Sequence, residues 1–112
     1  MNKLQEIYKL LLKSFGHQGW WPLISHTGNN PTKTGSMRGY HPANYELPKT
    51  TNQIYEICLG AILTQNTSWT SVEKALTNLQ NLDAINPKSI TTLSESEFKD
   101  AIAFALLFLF LL

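Results

Sequence analysis

The sequence predicts an all-α protein, an orthogonal helical bundle with one long loop in its N-terminal half. Three observations predict this fold class. Apolar residues recur at helical spacing in several segments, capping residues precede those segments, and no segment alternates convincingly with a period of two. The 112 residues are sized for a single domain, and a composition of 43% hydrophobic and 15% charged residues excludes a disordered chain.

The first predicted helix ends near Gly16, a residue type that commonly stops helices. Its apolar residues follow the i, i+3, i+4, i+7, i+8, i+11 pattern of a single helical stripe. The stripe consists of Leu4, Ile7, Tyr8, Leu11, Leu12 and Phe15.

Residues 16–50 are predicted to form a long loop. They contain five of the six glycines, four of the five prolines and all three histidines. Long loops within compact domains are usually functional or disordered. The histidines at positions 17, 26 and 41 show no metal-ligand spacing, and the sequence assigns them no role.

The second predicted helix covers residues 53–65 and is apolar nearly all round, which suits a central buried helix. Within it, Cys58 is expected to be a small buried hydrophobe. Gly60 costs about 1 kcal/mol relative to alanine in a helix, so a close contact at this position is expected. The candidate N-caps are Thr50, Thr51 and Asn52.

Three further helices are predicted after a break at residues 66–68. Thr70 and Glu73 form a capping-box pattern before the third helix, and Trp69 is expected to be a packing residue. Asn86-Pro87 opens a short helix, and Ser94 with Glu97 forms a second capping box. The apolar stripe of the third helix consists of Val72, Ala75, Leu76 and Leu79, and that of the last helix includes Phe98, Ala101 and Ile102.

The tail of the chain differs from the helices before it. Residues 101–112 are all apolar, a run too short to span a membrane and without a polar face. We expect residues 103–112 to be an aberrant tail produced by a reading-frame shift near Ile102. A small membrane-associated protein anchored by this tail is the weaker alternative.

Charge is distributed unevenly along the chain. Residues 1–50 carry six basic and two acidic side chains, whereas residues 51–112 carry three basic and six acidic ones. The basic half is compatible with phosphate contact, and an unevenly charged solvated surface explains it equally well. The N-terminus lacks the apolar core of a signal peptide, so a cytoplasmic location is expected.

Two stretches carry a resemblance to a known family. Residues 59–69, Leu-Gly-Ala-Ile-Leu-Thr-Gln-Asn-Thr-Ser-Trp, followed by Val-Glu-Lys-Ala at 72–75, resemble the opening of the helix-hairpin-helix (HhH-GPD) DNA glycosylase domain of the endonuclease III type. Residues 15–22, Phe-Gly-His-Gln-Gly-Trp-Trp-Pro, are similar to the branch of bacterial 3-methyladenine DNA glycosylases. The resemblance covers residues 1–102, which would be the N-terminal part of that domain.

The resemblance implies a function in base excision repair. The full-length enzyme would excise alkylated, 3-methyladenine-type bases by hydrolysis of the N-glycosidic bond. Its partner would be double-stranded DNA with a damaged base, and no small-molecule cofactor would be needed. An oxidised-pyrimidine or abasic-site substrate is the open alternative.

The resemblance also implies which residues meet DNA. Extruding a base from the duplex leaves a gap, and Gln65 is the residue that would fill it, with Asn66 and Thr67 beside it. The flipped base would stack on aromatic walls, an interaction worth about 1–3 kcal/mol per base. The matching pocket positions are Trp20, Trp21, Pro22 and Tyr55.

Purely structural interpretations of these residues stay open. Trp20 and Trp21 would then be core tryptophans that pin the loop, and Tyr55 would be a core residue of its helix. Gln65 and Asn66 would cap the helix end and its turn.

No catalytic residue is predicted within the chain. The resembling family places its hairpin, with a Leu-Pro-Gly-x-Gly pattern, and its catalytic lysine or aspartate in a second half. This sequence has no Gly-x-Gly, its aspartates Asp83 and Asp100 come too early, and Cys58 alone cannot hold the iron–sulfur cluster of some members. We therefore expect an inactive fragment without metal; the alternative is a non-catalytic DNA-binding or protein-interaction fragment.

Overall fold

The computed structural model describes residues 1–31 and 38–106. The described residues form five α-helices and a short 3-10 helix, and their only strand pairing is an isolated bridge between Asn29 and Arg38. The predicted all-α class is confirmed. The chain divides into two compact units, Met1–Tyr45 and Glu46–Leu112. The helices are α1 (Lys3–Phe15), α2 (Thr51–Leu63), α3 (Trp69–Asn81), α4 (Glu95–Ala101) and α5 (Ala103–Leu106), with the 3-10 helix at Ser89–Thr92.

Helix α1 begins and ends where the sequence predicts. Asn2 and Gln5 form a reciprocal capping box, in which each side-chain oxygen accepts from the other residue's backbone N–H. Gly16, at a φ of 72°, donates its N–H to the Leu12 carbonyl and ends the helix. None of the helix is buried, and Leu4 is 75% exposed. The apolar stripe of α1 therefore lies open among the described residues.

The loop of the first unit has a small core of its own. Leu23 is completely buried, and Tyr40, Asn30 and His41 are buried with it. The Leu23 N–H donates to the Gly39 carbonyl at 2.9 Å, which ties two distant parts of the loop together. The described part of the predicted loop is thus irregular in backbone but packed.

Helix α2 is not the all-round buried helix that its composition predicts. Thr50 caps it through a box with Gln53, and α3 packs along one side only. The buried face consists of Glu56, Leu59, Gly60 and Leu63. The opposite face is exposed and consists of Ile54, Cys58 and Ile62.

The expectation that Cys58 is buried is therefore wrong. Cys58 lies four residues from both Ile54 and Ile62, so the helical period places all three on the exposed face. An apolar sequence shows that a helix has surface to bury, but not which face its neighbours cover.

The expected close contact at Gly60 is confirmed. A Cβ at this position would lie 3.3 Å from Trp69 Cη2 and 3.5 Å from Leu76 Cδ1. Trp69 is thus a packing residue, as expected. Glycine allows α3 to lie directly against the backbone of α2.

Helix α3 starts before the position that the capping-box pattern predicts. Ser68 is the N-cap, and its Oγ accepts from the Ser71 N–H at 3.4 Å. The proposed box of Thr70 and Glu73 is therefore wrong, because Thr70 already lies in the first turn. The predicted apolar stripe is confirmed, since all its members are buried: Val72, Ala75, Leu76 and Leu79.

Of the two helix starts predicted after α3, only the second is confirmed, because the first helix begins at Ser89 with Lys88 as its N-cap and not at Pro87. Asn86 Oδ1 accepts from the backbone N–H of Lys88 at 3.0 Å and of Ser89 at 2.7 Å, ahead of the 3-10 helix. The box of Ser94 and Glu97 opens α4, as predicted.

Helices α4 and α5 both pack on α3. Asn78 of α3 donates to the Ala101 carbonyl at 3.1 Å, and the Lys74 ammonium lies 5.0 Å from the centre of the Phe104 ring. The described start of the apolar tail, 103–106, is thus packed within the second unit. Residues 107–112 of that tail lie outside the described residues. Of the helices described, none is both apolar and long enough to cross a membrane.

Candidate nucleic-acid interface

The turn predicted to contact DNA follows α2 directly. Thr64 ends the helix, and its Oγ1 donates to the Ala61 carbonyl at 2.9 Å. Asn66 has a φ of 67°, in the left-handed region that asparagine tolerates better than most residues. Gln65 and Asn66 are exposed, whereas Thr67 is half-buried. The turn therefore presents two amide side chains to solvent.

Main-chain hydrogen bonds to the C-terminal end of α2 hold this turn in place. The Gln65 N–H donates to the Ile62 carbonyl at 3.3 Å, and the Thr67 N–H donates to the Thr64 carbonyl at 3.4 Å. Within the described residues Thr67 Oγ1 is buried and has no hydrogen-bond partner. Just beyond the turn, Trp69 of α3 packs over Gly60 of α2, so the turn joins two helices that are in contact.

The tryptophans predicted to line a base pocket form an aromatic stack in the first unit. The ring centres of Trp20 and Trp21 are 4.7 Å apart, and Trp20 also lies 5.5 Å from the ring of Tyr40. Trp20 is 45% exposed, while Tyr40 and Pro22 are buried. The stack is therefore backed by protein on one side and offers Trp20 to solvent. The planes of the two indoles are inclined at 35°, and an exposed indole face is able to stack on a planar group.

Sequence reasoning missed Tyr40 and His41. Tyr40 contributes a buried ring to the stack. His41 Nε2 lies 2.8 Å from the Trp21 carbonyl oxygen, which only accepts, so Nε2 carries the hydrogen and donates. Both residues lie about twenty positions after the tryptophans, and the folded loop brings Gly39-Tyr40-His41 back against them. The spacing by itself does not show the contact.

The other histidines make contacts of their own in the first unit. His17 Nδ1 lies 3.0 Å from the Tyr45 hydroxyl, and the His26 ring meets the His41 ring edge-on at 6.1 Å. Among the described residues no group of three histidine, cysteine or acidic side chains is arranged to hold a metal ion.

Tyr55, the remaining predicted pocket residue, lies in α2 of the second unit and is half-buried there. Its place in the base pocket stays a prediction, as do the roles of the other site residues. One residue that sequence reasoning missed is Glu56, which is only 4% exposed on the same helix. The signal was available, because it is the only acid in an otherwise apolar segment.

A comparison with curated proteins finds one relevant relative. The chain is 33% identical over 99 residues to a protein of Methanocaldococcus jannaschii named as a candidate DNA repair glycosylase. This similarity supports the assignment of the chain to a DNA glycosylase family. The match takes in 88% of this chain but only 32% of that protein, so the chain spans about a third of its relative's length. No family model matches the chain, and no solved structure matches it.

Proposed function

We propose that this chain is a DNA-contacting part of a DNA repair glycosylase of the helix-hairpin-helix, endonuclease III-like type. The similarity to the archaeal protein supports the repair function, and the resemblance of residues 59–75 supports the superfamily. The proposed partner is double-stranded DNA that carries a damaged base, and the proposed compartment is the cytoplasm.

The Gln65 turn is proposed to occupy the gap that a flipped base leaves in the duplex. A glycosylase must take its target out of the stack at a cost of a few kcal/mol, and an inserted side chain offsets part of that cost. Gln65 is exposed and its amide both donates and accepts hydrogen bonds, so it matches the edge of an orphaned base. Asn66 and Thr67 lie beside it and would contact the flanking backbone.

The proposal about the substrate class rests on the aromatic stack of Trp20, Trp21 and Tyr40. The half-exposed Trp20 ring, backed by Trp21 and Tyr40, suits a planar base. An alkylated purine that bears positive charge gains a further attraction from the electron-rich face of an indole. We therefore propose alkylated, 3-methyladenine-type bases as the substrate class, with Pro22 as an additional pocket wall beside the tryptophans. Tyr55 is the further pocket residue that the resemblance implies.

The proposed reaction is hydrolysis of the N-glycosidic bond without a cofactor. The aspartate and hairpin that the resemblance implies have no matching residues in this sequence. We therefore expect these 112 residues to bind damaged DNA but not to release the base.

Duplex DNA with a stable tetrahydrofuran abasic site tests the role of the turn. We expect the chain to prefer this duplex over the intact one by about tenfold in fluorescence anisotropy, since the abasic site removes the cost of base flipping. Gln65→Ala should abolish most of that preference. Gln80→Ala, an exposed glutamine on α3, is the matched control and should retain it.

A second candidate function is a non-catalytic protein-interaction module, favoured by the exposed apolar stripe of α1. The same measurement separates the two candidates. Equal affinity for abasic and intact duplexes contradicts the glycosylase proposal and leaves the interaction module. An unchanged preference in Gln65→Ala contradicts the role of the turn alone.

A further inference from the structure

The segment Gly39-Tyr40-His41 lies against the two tryptophans through main-chain hydrogen bonds. On one side of the tryptophans the Leu23 N–H donates to the Gly39 carbonyl at 2.9 Å, and on the other the His41 N–H donates to the Gly19 carbonyl at 3.4 Å. The residues on both sides of the Trp20-Trp21-Pro22 stretch are thus hydrogen-bonded to the short segment 39–41.

Glycines make this close approach possible. A Cβ at Gly19 would collide with the backbone of His41, and one at Gly28 would collide with the Tyr40 carbonyl. Gly19 also has a φ of 64°, which side-chain-bearing residues rarely adopt. The backbone of residues 40 and 41 therefore lies in direct contact with the loop that carries the tryptophans.

The two side chains of this segment act on different parts of the tryptophan pair. The Tyr40 ring is buried and packs against Trp20, whereas the His41 imidazole donates to the Trp21 carbonyl. His41 is 8% exposed and Trp21 is half-buried, so this hydrogen bond is partly shielded from water. Because it anchors the Trp21 carbonyl, it holds the backbone from which the Trp21 ring projects towards Trp20.

We propose that His41 is a positioning residue of the base pocket, which orients the Trp20–Trp21 stack so that Trp20 presents one ring face to the base. The effect on base binding rests on the proposed function, whereas the orientation of the stack does not. A histidine that merely fills the core would tolerate other polar residues of its size. The proposed positioning role requires an N–H donor as far from the backbone as histidine Nε2 is.

Two substitutions separate these requirements. The glutamine amide nitrogen reaches about as far as histidine Nε2, whereas that of asparagine reaches only to the position of Nδ1.

Coupled indoles give a near-ultraviolet circular dichroism signal that depends on their mutual angle. The difference between wild type and Trp20→Ala defines the part of this signal that comes from the stack.

We expect His41→Gln to keep most of the stack signal, and His41→Asn and His41→Ala to lose about half of it or more. His17→Ala, in the same unit but bonded to Tyr45, is the control and should leave the signal unchanged. Equal signals from His41→Gln and His41→Asn overturn the proposal, as does an unchanged signal in His41→Ala. If His41→Ala unfolds, the comparison of glutamine with asparagine still decides the question.

Titration with 7-methylguanosine against guanosine, followed by quenching of tryptophan emission, adds the ligand readout. We expect wild type and His41→Gln to prefer the methylated nucleoside, and His41→Asn to bind it about tenfold more weakly, one stacking contact being worth that much. If the spectra change as expected but no variant prefers the methylated nucleoside, His41 still orients the stack and the proposed substrate class is wrong. If His41→Asn keeps both signal and preference, the positioning proposal fails while the substrate class stands.

Discussion

Gly60 allows α3 to lie close against α2, because it has a hydrogen where any other residue would place a Cβ. The nearest atoms, Trp69 Cη2 at 3.3 Å and Leu76 Cδ1 at 3.5 Å from that Cβ position, belong to packed side chains. The close packing of α2 and α3 on either side of the Gln65 turn thus depends on Gly60.

Gly60→Ala should destabilise the chain by about 1 kcal/mol in urea unfolding, because overpacking of roughly 1–3 kcal/mol outweighs a helix-propensity gain of about 1 kcal/mol. In a Trp69→Phe background the contacted indole atoms are gone, and the same substitution should be neutral or stabilising. A destabilisation equal in both backgrounds would contradict a specific contact with the indole.

Residues that meet across the loop were the hardest to predict. Trp20 and Trp21 were identified from their own motif, but Tyr40 and His41 join them only through the folded backbone. No local period connects positions twenty residues apart, so the sequence did not indicate the contact.

At the scale of elements, local capping chemistry determined how well each helix start could be predicted. The box of Ser94 and Glu97 begins α4 as expected, because the hydroxyls of the preceding Thr91 and Thr92 donate instead to the Lys88 and Ser89 carbonyls. The box at Thr70 failed, because Ser68 caps α3 two residues earlier. Burial was less predictable than boundaries, since the face of α2 that its neighbours cover depends on tertiary packing.

Cys58 provides a direct check on the exposed face of α2. We expect this thiol to react with an aromatic disulfide reagent in the folded chain at nearly the rate seen in denaturant, because it is exposed. Cys58→Ser removes the only thiol and is the blank. Reaction that requires unfolding would show that this face is covered.

At the scale of the whole molecule, the proposed DNA-contacting residues fall in both compact units. The first unit holds the aromatic stack, and the second holds the Gln65 turn between α2 and α3. The fold class and the turn followed from sequence periodicity and resemblance. Which faces of α1 and α2 stay exposed did not follow, because the pattern of a helix shows that it has apolar surface but not whether a neighbouring element covers it.

The central claim is that this chain recognises an alkylated base in duplex DNA through Trp20. It is tested by the affinity for a duplex with one 7-methylguanine against the same duplex with guanine, measured at constant salt. We expect wild type and Trp20→Phe to prefer the methylated duplex by about tenfold, since a stacked base contributes about 1–3 kcal/mol, and Trp20→Ala to lose the preference. Equal affinity of the wild-type chain for the two duplexes would contradict the claim.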